Sequence, residues 1–228
     1  MRLNAYLAKS GVASRRGADV LIKSGRVTVN GKTGELNAQV SDKDLILLDG
    51  KAIKLQKFRH ILLNKPTGTV TTLKDPEGRR TVKDLVDIPE RVVPIGRLDY
   101  NTTGVLLLTN DGEMANKLMH PRYGVEKVYE AEVEGTITSE ILNKLSIGVR
   151  LEDGVTAPAK ARQLTESRVE LIVHEGRNHQ VRRMLESVGL PVKKLHRSRY
   201  GPILLGGLKP GQWRNLEAVE IKNLTDNG

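Results

Sequence analysis

Apolar positions set the frame. Leu3, Leu7 and Ala8 recur at helical spacing and stop before Gly11, which predicts a short first helix closed by a left-handed residue. A second helix is expected behind Ser14, a good N-cap, with Ala18, Leu21 and Ile22 as its buried stripe and Gly25 as its end. Val27 and Val29 then alternate with polar neighbours ahead of Asn30-Gly31, a type I′ hairpin signal, and Asp49-Gly50 repeats that signal. The order is helix, helix, hairpin. The basic, weakly patterned residues 51–59 place a linker near 57–60.

From Ile61 the rhythm changes. Short apolar runs over 61–68, 69–73, 92–99 and 105–110 read as strands, with a polar loop over 75–80. Asp111-Gly112 opens a helix through Met114, Leu118 and Met119 that ends at His120-Pro121. Over 127–134, alternation sets Tyr129, Ala131 and Val133 on one face and Glu130, Glu132 and Glu134 on the other. A strand over 169–173, a turn over 175–178 and a helix buried through Val181, Met184, Leu185 and Val188 follow. The class is α+β, with a small module over residues 1–58 and a larger domain over 59–228.

A chain of 228 residues can hold both, the larger with a core of its own. It has no run of eighteen apolar residues, and its first apolar stretch is too short for a secretory signal, so a soluble, cytoplasmic protein is expected. The absence of cysteine excludes disulfides and thiolate metal sites, and the 5 histidines show no HExxH spacing, so no metal site is expected. Chemistry falls to oxygen and nitrogen side chains.

The net charge of +10 points to a polyanionic partner. It is concentrated in residues 1–58, which carry 11 Lys and Arg against 5 Asp and Glu. Arg2, Lys9, Arg15, Arg16, Arg26 and Lys32 remain outside the apolar stripes. Arg15 and Arg16 sit in the first turn of the second helix, where cations oppose the macrodipole unless an anion lies beside them. Taken alone, the pair is equally an ordinary solvated one. Residues 2–32, RLNAYLAKSGVASRRGADVLIKSGRVTVNGK, resemble the S4 RNA-binding domain, and the likeness extends to about residue 50. It implies binding of structured RNA through these cations and the Ser14 cap, and no reaction. With 1 Phe and 1 Trp in the chain, serial base stacking is not the mode.

Asp99 lies in Gly96-Arg97-Leu98-Asp99-Tyr100-Asn101-Thr102-Thr103-Gly104, a connection between two apolar strands. By itself such an aspartate is a turn residue. However, GRLDYNTTGVLLLTNDG resembles the signature of pseudouridine synthases that modify bacterial ribosomal RNA, in the branch that holds the small-subunit synthase and the large-subunit synthases B, E and F. NKPTGTVTT, HPRYGVEKVYEAEV and EGRNHQVRRM fit in order, so the likeness spans residues 60–217. The synthase B members are nearest in layout, and an S4 module is this branch's usual companion.

The resemblance implies a mixed, mainly antiparallel sheet flanked by helices. The implied reaction is an isomerisation in which uracil N1 leaves ribose C1′, the base turns, and C5 takes its place, with no cofactor or metal. Asp99 is the implied carboxylate, as nucleophile at the sugar or as base at the ribose 2′ position. Tyr129 is the implied ring under the uracil, although its pattern alone is that of a core tyrosine. Arg182 is the implied cation beside Asp99. At about 100° per residue it lies at the edge of its helix's apolar face, where its stem can be buried, whereas Arg183 points more fully to solvent or phosphate. RNA contacts around the site are expected from Arg97, Asn101, Thr102, Lys127, Arg177, Asn178, His179, Gln180 and Arg183. An outer basic track, outside the pocket, is expected over Lys193, Lys194, His196, Arg197 and Arg199, with Lys127 and Arg177.

The expected partner is ribosomal RNA, large-subunit in preference to small-subunit, with no membrane contact and a monomeric chain. Two rival readings stand beside this one. One is a non-catalytic S4-type RNA-binding or ribosome-assembly protein. The other is an RNA or nucleoside glycosidase, against which counts the lack of a second well-placed carboxylate to activate water.

Overall fold

The computed structural model describes residues 1–226. The chain divides into two compact units, the first comprising Met1–Arg59 with Ile88–Val92 and Asn110–Gly112, the second the remainder.

In the first unit, α1 (Leu3–Lys9) and α2 (Arg15–Lys23) precede β1 (Val27–Val29), β2 (Lys32–Thr33), β3 (Ile46–Leu48) and β4 (Lys51–Ala52). The strands form an antiparallel sheet in the order β2-β1-β3-β4. Asn30 and Gly31 take φ of 51° and 82°, the left-handed pair that a type I′ turn demands. Ser14 caps α2, its hydroxyl accepting from the Gly17 amide at 3.1 Å. The core gathers Leu3, Tyr6, Leu7, Ala18, Ile22, Val27, Val40 and Ile46. The face of α1 is therefore Leu3, Tyr6 and Leu7, spaced i, i+3, i+4, and the expected Ala8 is only half-buried. Two later segments complete the unit, which a linker placed at 57–60 does not anticipate. The Arg59 amide donates to Asn110 Oδ1 at 2.7 Å, its guanidinium pairs with Glu90 at 2.9 Å, and the Arg91 amide donates to Gln56 at 3.2 Å.

The second unit runs β5 (His60–Lys65), β6 (Val93–Ile95), β7 (Thr102–Thr109), α3 (Gly112–Met119), β8 (Lys127–Val133), α4 (Ser139–Ile147), β9 (Arg150–Leu151) and β10 (Gly154–Val155). It continues with β11 (Lys160–Thr165), β12 (Arg168–Val173), α5 (Gln180–Ser187), β13 (Val192–Tyr200), β14 (Ile203–Leu204), β15 (Trp213–Asn215) and α6 (Ala218–Asp226). Its main sheet is ordered β11-β12-β8-β13-β7-β5-β15, with β6 beside β7 and β14 beside β13, while β9 and β10 form a separate hairpin. Every described pairing between these strands is antiparallel except β13 with β7. One apolar cluster gathers Val133, Val169, Leu171, Met184, Leu185 and Leu190, and a second gathers Leu62, Ile95, Leu107, Met114, Tyr200 and Leu224.

Two sequence expectations are corrected. Residues 69–73 make no strand, only a bridge from Val70 to Thr81. Side chains take the backbone partners a strand would need, since Thr71 Oγ1 donates to the Leu98 carbonyl at 2.6 Å and accepts from the Leu98 amide at 3.2 Å. The basic stretch at 193–199 is not a free track but an inner strand, β13. Its outward cations meet glutamates on and beside β8, Lys194 with Glu132 at 3.0 Å and Lys193 with Glu134 at 3.3 Å, while Arg199 pairs with Glu126 at 3.1 Å.

One row of residues spans β5, β7, β13 and β8. Lys65 on β5 is in register with Gly104 on β7, Gly104 with Arg197 on β13, and Arg197 with Tyr129 on β8. Register partners share a face, so the three side chains stand together with a gap at the glycine. Gly104 has φ of 108°, and a Cβ there would lie 2.2 Å from the Arg197 carbonyl oxygen. Gly104→Ala is therefore expected to cost at least about 1–3 kcal/mol, as overpacking against backbone does. Chemical denaturation of the purified variant measures the loss, and an unchanged midpoint contradicts the close approach.

Candidate active site

Asp99 stands on the connection from β6 to β7, and its loop is held from beneath. The Lys65 ammonium, fully buried at 0% exposure, donates to the carbonyls of Pro66 (3.2 Å), Asp99 (2.9 Å), Tyr100 (3.3 Å) and Thr102 (2.9 Å). The Thr102 amide adds a bond to the Asp99 carbonyl at 3.0 Å, and Gly68 donates to the Tyr100 carbonyl at 3.0 Å. With its backbone tied down, the Asp99 carboxylate is left 26% exposed at the edge of a cavity of about 340 Å³. That volume lies within the roughly 300–1,000 Å³ of small-ligand sites. Burial pushes the Lys65 ammonium down to about 8, with Asp99 opposing and Arg197 adding to the shift.

Tyr129 lines the same cavity, on the face that strand alternation predicts. Its hydroxyl accepts from Arg197 Nη1 at 3.2 Å. Arg197 is 2% exposed, donates through Nε to the Val105 carbonyl at 2.8 Å, and lies between the rings of Tyr129 and Tyr200 at 5.8 and 5.0 Å from their centroids. Sequence reasoning passes over this residue because it sits in a basic run. The available signal was the spacing of Leu195 and Arg197, i and i+2 on the buried face of a strand, which a bulge after Arg197 then carries on to Tyr200.

Arg182 does not join Asp99. Its guanidinium donates to the Val192 carbonyl at 3.2 Å, and it is not among the residues lining the cavity. The group facing Asp99 is His179, with Nε2 3.5 Å from Oδ1. His179 precedes α5 with φ of 49°, a left-handed conformation that histidine tolerates better than most side chains.

The other expected RNA contacts divide. Arg97, Asn178 and His179 are exposed at the cavity, and Asn101 is exposed beside it. Thr102 and Gln180 line it from buried positions. Gln180 is committed to the protein, donating to Glu175 at 2.6 Å and accepting from the Arg177 amide at 2.9 Å. Arg177 is turned inward onto the carbonyls of Asp153, Gly154 and Val155, and Arg183, expected to point outward, makes a two-pronged pair with Asp153 at 3.0 Å. Carboxylate and carbonyl partners outcompete water for these planar donors. Lys127, expected outside the pocket, is buried in its wall with Nζ 3.3 Å from the His174 carbonyl, and burial lowers it to about 8, with Arg197 adding and Glu175 opposing.

A second carboxylate, contrary to expectation, also lines the cavity: Glu175. Both its oxygens are occupied, Oε1 by Gln180 and the Ala157 amide at 3.1 Å, Oε2 by Arg177 at 3.3 Å. Asp99 is the carboxylate with free capacity. In the first unit, Arg26 pairs with Asp49 and Lys9 lies over Phe58, whereas Arg2, Arg15, Arg16 and Lys32 are exposed and make no side-chain bond among the described residues.

Residues 59–187 match the family model described as RNA pseudouridylate synthase, and residues 1–46 match the S4 domain. The chain belongs to the RNA pseudouridylate synthase family. It is an isomerase, and its S4 domain makes it an RNA-binding one. The synthase is 48% identical over 231 residues to the ribosomal large subunit pseudouridine synthase B of Bacillus subtilis, covering 98% of this chain and 95% of that one. It is 47% identical to an RNA pseudouridine synthase of Aquifex aeolicus, covering 98% and 93%. Among solved structures, a crystal structure of a pseudouridylate synthase superposes with a TM-score of 0.74 at 31% identity, over 98% of this chain and 99% of that one. No described helix is long and apolar enough to cross a membrane.

Lys127 yields a prediction whose sign is fixed by its burial. Because its ammonium is lowered to about 8 in the fold from 10.5, the charge penalty is fully present below pH 8. Between those values the unfolded chain holds more protons, so stability rises with pH. Lys127→Met is thus expected to be more stable than the parent at pH 7, with the advantage shrinking as pH climbs from about 8. Denaturant midpoints of both proteins across that range check it.

Proposed function

We propose that the synthase converts a specific uridine of bacterial large-subunit ribosomal RNA to pseudouridine, acting in the cytoplasm as a monomer with Asp99 as its essential carboxylate. The observation that carries this reading is the shared cavity of Asp99 and Tyr129, walled by buried cations and by a Glu175 with no free oxygen. The large subunit is favoured by the extent of the likeness to the Bacillus subtilis synthase B.

In this reading the target uridine leaves its stack and enters the cavity, at a cost of a few kcal/mol that RNA contacts offset. Its uracil lies against the Tyr129 ring, a flat surface on which a detached base can turn. The Asp99 carboxylate, aimed by the Lys65-bound backbone, either attacks ribose C1′ or removes the 2′ proton. The S4 domain supplies affinity through Arg2, Lys9, Arg15, Arg16 and Lys32. Arg15 and Arg16, with no acidic residue in the first turn of α2, suit RNA phosphates at that helix end.

Mapping pseudouridine in both ribosomal RNAs from cells with and without the gene tests the assignment. One large-subunit position is expected to revert to uridine, and to stay uridine when Asp99→Asn is supplied in place of the parent protein. A lost small-subunit position overturns the choice of target, and full modification by Asp99→Asn overturns the role of the carboxylate. An abasic sugar at the target, in place of pseudouridine, marks a glycosidase.

The S4 contribution is separable. Replacing Arg15 and Arg16 together by glutamine is expected to weaken RNA binding and to reduce the slope of log affinity against log salt by roughly 1 to 2, the release from two phosphate contacts. A slope that does not move assigns these arginines to a merely solvated surface.

A further inference from the structure

Among the described residues, the second unit buries three cations without a carboxylate partner. Lys65, Lys127 and Arg197 are 0%, 8% and 2% exposed, and their bonds go to carbonyl oxygens and the Tyr129 hydroxyl. Unpaired buried charge lowers stability, and an apolar side chain of similar size would not carry that cost. Lys65 has a structural use under the Asp99 loop. Arg197 and Lys127 have none of comparable extent, yet both line the cavity. Arg197 Nη2 is buried with no hydrogen-bond partner among the described residues. The Arg197 guanidinium is 5.8 Å from the centre of the Tyr129 ring, and both cations lie over Tyr200, Lys127 at 5.6 Å. The positive charge is thus fixed beside the surface assigned to the base, on a side chain too constrained to turn away.

We propose that Arg197 and Lys127 stabilise the negative charge that moves onto the uracil when its bond to ribose breaks. This rests on the reading of the Asp99–Tyr129 cavity as the uridine site. When N1–C1′ cleaves, the bonding pair leaves with the base and spreads over N1, O2 and O4. Electron-poor C1′ is satisfied by an Asp99 oxygen or by loss of the 2′ proton to Asp99, and either route leaves the same anionic base. In the second half C5 bonds to C1′, the bond to Asp99 breaks or the 2′ proton returns, C5 gives up its proton and N1 gains one. Nothing is oxidised or reduced. A charge that is delocalised and must rotate is better met by a spread guanidinium and an ammonium alongside the ring than by one aimed hydrogen bond. Charge that the fold already holds in place acts without reorganising when the bond breaks.

The test compares the full chain with Arg197→Met, Arg197→Lys, Lys127→Met and Asp99→Asn under single-turnover conditions, on whichever ribosomal RNA transcript the parent converts. Transcripts are made with uridine or with 5-fluorouridine, whose electron-withdrawing fluorine lets the departing base carry charge more easily; because fluorine stands where the reaction would release the C5 proton, the rate read on both RNAs is that of N1–C1′ cleavage. Arg197→Met is expected to slow uridine conversion by roughly 10²–10³-fold, the range for loss of one preorganised donor, with RNA affinity unchanged. Arg197→Lys restores part of the rate, and Lys127→Met is slower than the parent although it is the more stable protein. Both methionine variants recover much of their deficit on fluorouridine RNA. If the deficits are equal on the two RNAs, the cations only hold shape and the inference falls, as it does if neither variant is slowed. Should Arg197→Met fail to fold, Lys127→Met carries the same comparison. An Asp99→Asn enzyme that turns over normally removes the cavity reading itself, and this inference with it, whereas an inactive Asp99→Asn beside unimpaired cation variants removes this inference alone.

Discussion

The catalytic unit depends on the close passage of β7 against β13 at Gly104. The absence of one side chain lets the Arg197 backbone come within a distance that any Cβ would forbid. With that approach, Arg197 falls in register between Gly104 and Tyr129, and Lys65 completes the row from β5. The loop that carries Asp99 runs directly into β7, so the same strand sets both the carboxylate and the row. A shift of β13 by one residue would turn Arg197 to the opposite face and leave Tyr129 without its partner.

Charge is distributed unevenly between structural and chemical uses. Along and just past β8, glutamates are answered by cations of the neighbouring strands, Glu130 by Arg168, Glu132 by Lys194 and Glu134 by Lys193, and such exposed pairs contribute little to stability. Inside, Lys65 is satisfied by four carbonyls, which turns an awkward buried charge into the fastening of a loop. Arg177, Gln180 and Glu175 satisfy one another and so close the cavity wall with polar groups that have no capacity left for substrate. Among the described residues, Thr102 Oγ1 and Arg197 Nη2 are left without a partner at the cavity, where a ligand can bring what the protein lacks.

Much of this was legible from residue order. Turn chemistry at Asn30-Gly31, the Ser14 cap and the alternation that points Tyr129 inward are local effects, and local effects survive folding. Asp99 could be placed because a polar residue between two apolar strands has nowhere to go but a loop. Arg182 was misdirected because position on a helix face fixes where a stem begins and not which carbonyl its guanidinium reaches. Lys127 and Arg197 were read as surface because basic residues usually are. Their burial follows from non-local register, which no window along the chain contains. The 69–73 segment has the composition of a strand, but Thr71 spends its hydroxyl on Leu98, a partner that only the tertiary fold supplies.

The parallel pairing of β7 with β13 joins residues 93 positions apart, as Thr103 and His196 mark. Closing so long a loop is entropically slow, and no hairpin can bring the two strands together early. A growing chain that has already displayed its aspartate loop still lacks the guanidinium and the floor beneath the ring until nearly its last strands emerge. With Arg197 in the role proposed for it, competence for chemistry arrives in a single late step, and an incomplete polypeptide that reaches RNA through its basic first unit would hold the nucleic acid without altering it.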